Sequence, residues 1–229
     1  MIKDSQNILI TGAAGRIGFA VSKELLMKNY NCILTDINES SLGNLYSDFE
    51  YLGKEKVNYF KCDITSSSEI EKLIKFSEKN LGVINGVVHC AYPKPKSWGK
   101  TFEDLTEKDL NESLSMQLGS AIIFSQKIIK NFVKNNGGNL IHISSIQGFR
   151  APKFEHYEGT NMYSPIEYSA IKAGIISITA WLAKKYKNMN IRVNCISPGG
   201  ILDSQPKTFL EEYKKSCCNI GMLDAIEVA

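Results

Sequence analysis

Six short, almost continuously apolar runs, spaced by helix-length segments, constrain the fold of this chain more than any other feature. They are "NILIT" (7–11), "NCILTD" (31–36), "VNYFKCD" (57–63), "GVVHCA" (86–91), "NLIHISS" (139–145) and "IRVNCIS" (191–197). A strand wetted on one face alternates apolar with polar residues. A run that stays apolar belongs to a strand covered on both faces, as in a parallel sheet. Helical periodicity fills the gaps near 16–29, 39–50, 67–80, 107–135 and 165–187. Strand and helix in alternation predict an α/β fold built on a doubly wound parallel sheet. With 229 residues, 43% hydrophobic and 22% charged, the chain suits one domain over 1–229.

Charge and cysteine usage exclude several classes. A net charge of +3, with Lys and Asp/Glu interspersed, gives no basic patch for nucleic acid. Arginine occurs only at Arg16, Arg150 and Arg192, which points to placed roles for the first two. The six cysteines form no CxxC and no metal-ligand spacing. Cys32, Cys62, Cys90 and Cys195 lie inside apolar runs, where a thiol is a small hydrophobe, so a reducing, cytoplasmic setting is expected. The amino terminus leads almost directly into a strand rather than a signal peptide. No apolar run reaches the roughly 20 residues that span a bilayer, so no membrane partner is expected.

Two segments carry chemistry. "TGAAGRIG" (11–18) follows the first strand and opens a helix, the context of a phosphate-binding loop. Gly12, Gly15 and Gly18 allow a tight turn, close backbone approach and packing of helix on sheet, and the helix amino terminus offers N–H groups to a pyrophosphate. Asp36 ends the second strand, where its carboxylate either accepts from a ribose 2′-OH, favouring NAD over NADP, or caps the helix near Asn38. Arg16 offers a guanidinium to a phosphate, and Asp63 either binds adenine or starts the turn "DITSSS". In "EYSAIKAG" (167–174), Tyr168 and Lys172 lie four residues apart and so share one face of a helix. An ammonium ~4 Å from a phenol favours phenolate by ~3 pKa units at an effective dielectric of ~20, which makes the pair a candidate acid/base. Pro165 suits the first turn of that helix. His89 and His142 read as packed strand histidines and His156 as an exposed loop residue.

In order, "TGAAGRIG", Asp36, "KCDIT", "ISSIQG", "YSAIKAG" and "RVNCISPGGI" resemble the short-chain dehydrogenase/reductase family over nearly the whole chain. The resemblance implies a Rossmann-type sheet and an alcohol–ketone oxidoreductase working with NAD, or less favourably NADP. It implies Ser145 (rather than Ser144), Tyr168 and Lys172 as catalytic residues, with Gln117 in place of the Asn of the family's proton relay. It places the cofactor against Gly12, Ala14, Gly15, Arg16, Ile17 and Gly18, and against Asp36, Asp63 and Ile64. Cys90, Ala91 and Tyr92 of "HCAY" complete that wall, with Tyr168, Lys172 and the segment Pro198-Gly199-Gly200-Ile201.

The family's usual "NNAG" is "HCAY" here, so Tyr92 replaces a glycine. The glycine spacing matches the family's extended members, whereas length and "RVNCISPGGI" match the shorter ones. Ser145 and Tyr168 are about ten residues further apart than in short members. "GMLDAIEVA" (221–229) reads as the start of the family's last helix, and the final strand of its sheet does not follow. The insertion 146–165 mixes Phe149, Phe154, Tyr157 and Tyr163 with Arg150, Lys153, Glu155, His156 and Glu158. It suits a hydroxylated, phosphorylated or carboxylated ligand, or else a lid packed on its own aromatics. With "HCAYP" it resembles a bacterial branch of the family tied to surface-polysaccharide and flagellin-glycan biosynthesis, which implies a sugar-derived small-molecule substrate. A homodimer or homotetramer is expected. The rival readings are a nucleotide-sugar epimerase or dehydratase that retains its NAD, and a non-catalytic NAD-binding sensor.

Overall fold

The computed structural model describes residues 6–229, which form a six-stranded, all-parallel sheet in the order β3-β2-β1-β4-β5-β6. The strands are β1 (Asn7–Thr11), β2 (Asn31–Asp36), β3 (Val57–Lys61), β4 (Gly86–His89), β5 (Gly138–Ile143) and β6 (Ile191–Ile196). β3 and β4 stop two residues short of their apolar runs, because Cys62-Asp63 and Cys90-Ala91 have left the ladder to enter the loops above it. The doubly wound fold predicted from the alternation is the one observed.

Side chains of β1 show why its run is continuous. Ile8 and Ile10 enter a core with Leu34, Leu42, Leu45 and Phe49, under helices α1 (Arg16–Met27) and α2 (Glu39–Phe49). Leu9 points the other way, into a core with Phe124, Ile128, Phe132 and Leu140. That second core lies under α3 (Ser67–Leu81) and α5 (Ser120–Lys134). Both faces of the sheet are therefore dry. Each fully buried side chain of this size stabilises the fold by about 1.5–3 kcal/mol relative to exposure.

The segment expected as one helix over 107–135 is α4 (Glu107–Leu114), a π turn (Ser115–Gly119) and α5 in unbroken succession. The extra residue of the π turn rotates Gln117 inward, where it is buried. α6 (Ile166–Lys185) begins just after Pro165, which stands at the N-cap rather than in the first turn. A further helix, α7 (Lys207–Lys215), was not anticipated. Its signal is Phe209 and Tyr213 at i, i+4 behind Pro206, hidden in a charge-rich run.

The carboxyl-terminal "GMLDAIEVA" forms no α-helix. Leu223 makes a parallel bridge to Ile201, and Asp224 and Glu227 close a capping box over one short 3₁₀ turn, Ala225–Glu227. No helix among the described residues is long and apolar enough to cross a membrane.

Candidate active site

β1 neighbours β2 on one side and β4 on the other, so the strand order reverses between β1 and β4, and ligands of such sheets sit above the carboxyl ends at that reversal. Thr11 and His89, register partners there, are joined by a 2.8 Å hydrogen bond between Oγ1 and Nδ1. Thr11 Oγ1 also accepts the Ala91 N–H (3.2 Å), which fixes the loop leaving β4. Gly12 has φ +64°, and a Cβ on it would lie 2.7 Å from the Ala91 backbone. A Cβ on Gly18 would run into the Gly12 carbonyl and lie 2.8 Å from the Ala13 Cα. The two glycines thus let α1 and the β4 loop close on the turn after β1. Gly15 is the N-cap of α1 and makes no side-chain cap, so the helix's free N–H groups face outward.

Above this turn lies a cavity of about 560 Å³. Gly12, Gly15, Arg16, Ile17 and Gly18 line it on one side, and Asp36, Asp63, Ile64, Cys90, Ala91 and Tyr92 on the others, with Ile201 at the rim. Ala14 does not line it but donates its N–H to Asp36 Oδ2 (3.2 Å). Asp36 Oδ1 accepts from the Asn38 N–H (3.1 Å), while Asn38 itself caps α2 through Ser41. Asp36 therefore ties loop to strand and still faces the cavity. Asp63 holds the turn after β3 by accepting from Thr65 N–H (2.9 Å) and Oγ1 (2.7 Å). Arg16 is paired with Asp203 from the segment before α7, so its guanidinium closes the cavity mouth instead of standing free.

A second cavity of about 490 Å³ adjoins the first. Ser145, Tyr168 and Lys172 line it together with Pro198, Gly199, Gly200 and Ile201, of which Ile201 also lines the first cavity. The Ser145 hydroxyl, which accepts the Gln147 N–H (3.2 Å), lies beside the Tyr168 hydroxyl and favours its phenolate form. Ser144 lines the same cavity, and its hydroxyl is engaged in donating to the Lys172 carbonyl (2.8 Å).

Burial nevertheless raises the Tyr168 phenol above its ordinary pKa, against the expectation that Lys172 lowers it. The Lys172 ammonium donates to the Ile143 carbonyl (3.0 Å) and lies 5.6 Å from the Tyr168 ring centroid. Burial lowers Lys172 itself to about 8. Gln117 is buried and neither side-chain polar atom has a well-formed hydrogen bond, although its amide lies near enough to Tyr92 to favour that phenolate. It does not line the cavity, so the relay position is filled by a buried amide behind the site.

The insertion does not pack its own aromatics together. Tyr157 stacks edge-on against Phe209 of α7 (5.1 Å), and Tyr163 accepts the Phe102 N–H (3.0 Å); both line the second cavity. Phe149 and Phe154 are exposed. His156 is buried rather than exposed, because α7 covers it: Nε2 lies 2.7 Å from Ser216 Oγ and the ring is 5.2 Å from that of Tyr213. Lys94 and Trp98, from the irregular loop 92–100 that the sequence sets after β4 at the ligand-binding end of the sheet, also line the second cavity, as do Gln205 and Met222, for which the sequence carried no signal. Trp98 was the most legible of these, as a lone tryptophan in the loop after β4.

A cleft of this size over the strand reversal, glycine-floored and flanked by Ser145, Tyr168 and Lys172, defines a dinucleotide-dependent enzyme on a doubly wound sheet. The family model for short chain dehydrogenases matches residues 6–213. The post-translational flagellin modification protein A of Campylobacter coli is 43% identical over 226 residues, 98% of this chain and 88% of that one. The diacetyl reductase [(S)-acetoin forming] of Staphylococcus epidermidis is 29% identical, covering 97% and 82%. A short chain dehydrogenase of Leptospira borgpetersenii, solved with bound NAD+, superposes with TM-score 0.85 at 26% identity, covering all of this chain and 86% of that one. The chain belongs to the short-chain dehydrogenase/reductase family, NAD(P)-binding oxidoreductases that act on small molecules.

Proposed function

We propose that this oxidoreductase interconverts an alcohol and a ketone, with Tyr168 as the proton-transfer group, Ser145 holding the substrate oxygen and Lys172 supporting the phenol. The observation that carries the reading is that Ser145, Tyr168 and Lys172 line one cavity, which adjoins the cleft over the glycine turn. When bound, a nicotinamide supplies the hydride acceptor or donor. Ser145 and Tyr168 offer two hydroxyls to one substrate oxygen, which orients it and stabilises its developing charge. A phenol raised by burial rests in its acid form, the form that gives a proton to a carbonyl being reduced. In the oxidative direction the phenol must first give up its own proton, and the phenolate, favoured by Ser145, then takes the substrate's hydroxyl proton.

NAD is the favoured cofactor. The Asp36 carboxylate faces the cavity and would repel a 2′-phosphate, and the one guanidinium at the rim is held by Asp203. The substrate is sugar-derived. Trp98, Tyr157, Tyr163 and Tyr213 offer ring faces and hydroxyls, no Asp or Glu among the described residues lines that cavity, and the relative in Campylobacter coli bears a flagellin-modification name. The reading extends to one domain over 1–229, a cytoplasmic setting for six unpaired thiols, and a homo-oligomer paired through α5 and α6. There Ile122 and Trp181 are exposed beside Ile129 and Ile178.

A panel of sugar alcohols and nucleotide sugars, each with NAD and NADP, is followed by nicotinamide absorbance. Net NADH formation from a sugar substrate is expected, and it excludes an enzyme that retains its NAD. Tyr168→Phe should lower kcat by at least about a hundredfold with NAD affinity nearly unchanged. Full turnover in that variant removes Tyr168 from the chemistry.

A further inference from the structure

Tyr92 stands where the family carries a glycine, and its ring lies in the middle of the site. Its backbone is not free to withdraw, since the preceding N–H groups of Cys90 and Ala91 are held by the Thr11 carbonyl (3.1 Å) and Thr11 Oγ1 (3.2 Å). The ring meets Tyr168 edge-on at 5.9 Å and 85°, and Trp98 edge-on at 5.6 Å and 86°. Two ammonium groups sit on it. Lys172 Nζ is 5.0 Å from the centroid, closer than it is to the Tyr168 ring, and Lys94 Nζ is 5.2 Å away.

Lys172 needs such a partner. Its side chain is buried, and its one hydrogen bond goes to the Ile143 carbonyl. From the β4 end it feels Cys90 and His89, from β5 His142, and from its own helix Tyr168. Burial pushes the Cys90 thiol up to about 12 and holds both histidines below their ordinary range, so these three neighbours are neutral at physiological pH. Glu167, the nearest acid in sequence, acts on the Tyr92 phenol and forms no ion pair with Lys172. An ammonium taken out of water with no counter-ion is held by whatever partial negative charge surrounds it, and an aromatic face supplies that.

We propose that Tyr92 is a positioning residue for the chemistry of this site: its ring face holds the Lys172 ammonium, and its ring edge sets the Tyr168 ring against Ser145. The inference rests on the oxidoreductase reading of Ser145, Tyr168 and Lys172. The ring, not the hydroxyl, does the holding. Phenylalanine therefore replaces Tyr92 in this role, and an aliphatic side chain of similar bulk does not.

The test is trace labelling of the full chain with acetic anhydride across pH, reading acetylation of the Lys172 peptide by mass spectrometry. This needs no substrate, since Lys172 opens onto the cavity. Wild type and Tyr92→Phe should share one midpoint, and Tyr92→Leu should move it down by about one pH unit, because the neutral amine gains once the ring is gone. The basic limb of kcat, measured on any alcohol the panel identifies, should move in the same sense. Circular dichroism selects folded variants, and Tyr92→Met replaces the leucine variant if that one does not fold. A midpoint unchanged in the aliphatic variants overturns the proposal, and so does an equal shift in Tyr92→Phe, which would assign the effect to the hydroxyl. Tyr168→Phe with full activity would sink the hydride-transfer reading and leave the labelling result standing, so the two failures are separable.

Discussion

At Gly18 a single methyl group would press on the Gly12 carbonyl and on Ala13, both backbone, so nothing flexible can yield. Gly18→Ala should therefore cost about 2 kcal/mol of stability by urea unfolding and weaken NAD binding by calorimetry. The third glycine of the motif is a packing requirement, and the sequence displayed it directly. Asp36 is a different case. Its position at the end of a strand and a role at the start of the helix near Asn38 were legible, but its hold on the Ala14 N–H was not. Asp36→Ser should raise the ratio of NADP to NAD efficiency by about tenfold or more, because a carboxylate that lines the cavity and would repel a 2′-phosphate is removed. An unchanged ratio would separate Asp36 from cofactor choice.

Among elements, α7 and the insertion behave as one body. His156 and Tyr157 of the insertion pack on Phe209 and Tyr213 of α7, and Ser216 receives both His156 Nε2 and a hydrogen bond from Lys153 (3.2 Å). Tyr213 then accepts the Gly200 N–H at 2.7 Å, which joins this body to the wall of the second cavity next to Ile201. Tyr213→Phe leaves that N–H without its partner, at a cost of about 1–3 kcal/mol. Apparent KM for NAD should rise about tenfold while kcat changes little, read from initial rates. Neither α7 nor this joint was legible in the sequence. The helix's apolar stripe is two residues deep, and its partners are some 55 residues away in chain order, where periodicity carries no information. The π turn in 107–134 escaped for a related reason: periodicity locates a helix but not one inserted residue.

For the whole molecule, acid should be the weak side of its stability range. His142 lies fully buried between β5 and α5, with Nε2 3.2 Å from Ser125 Oγ and Nδ1 unpartnered, and burial lowers it to about 4. His89, stacked on Phe124 at 4.5 Å, is also held well below its ordinary value, again chiefly by burial. The unfolded chain protonates such histidines near pH 6.5 and the native chain does not. The unfolded state therefore binds more protons between about pH 6.5 and 4, and stability falls as pH falls through that window. His142 alone should account for a loss of about 2–3 kcal/mol by pH 4.5, seen as a lower urea midpoint than at pH 7.5. A flat profile over that range would contradict the buried neutral state.

The sequence by itself determined the strands, the glycine turn, the strand-end carboxylates and the four-residue spacing of Tyr168 and Lys172. Each is fixed by local periodicity or by backbone sterics within a few residues. Only the tertiary structure decided what those groups do to one another. The Ser144 hydroxyl is taken up by the Lys172 carbonyl of α6, which leaves the neighbouring Ser145 hydroxyl to face Tyr168. The Lys172 ammonium reaches the Ile143 carbonyl and the Tyr92 ring, and the phenol is raised where spacing alone had lowered it. Spacing sets which residues share a face; electrostatics depends on distance and burial, and those come from chain segments far apart in the sequence.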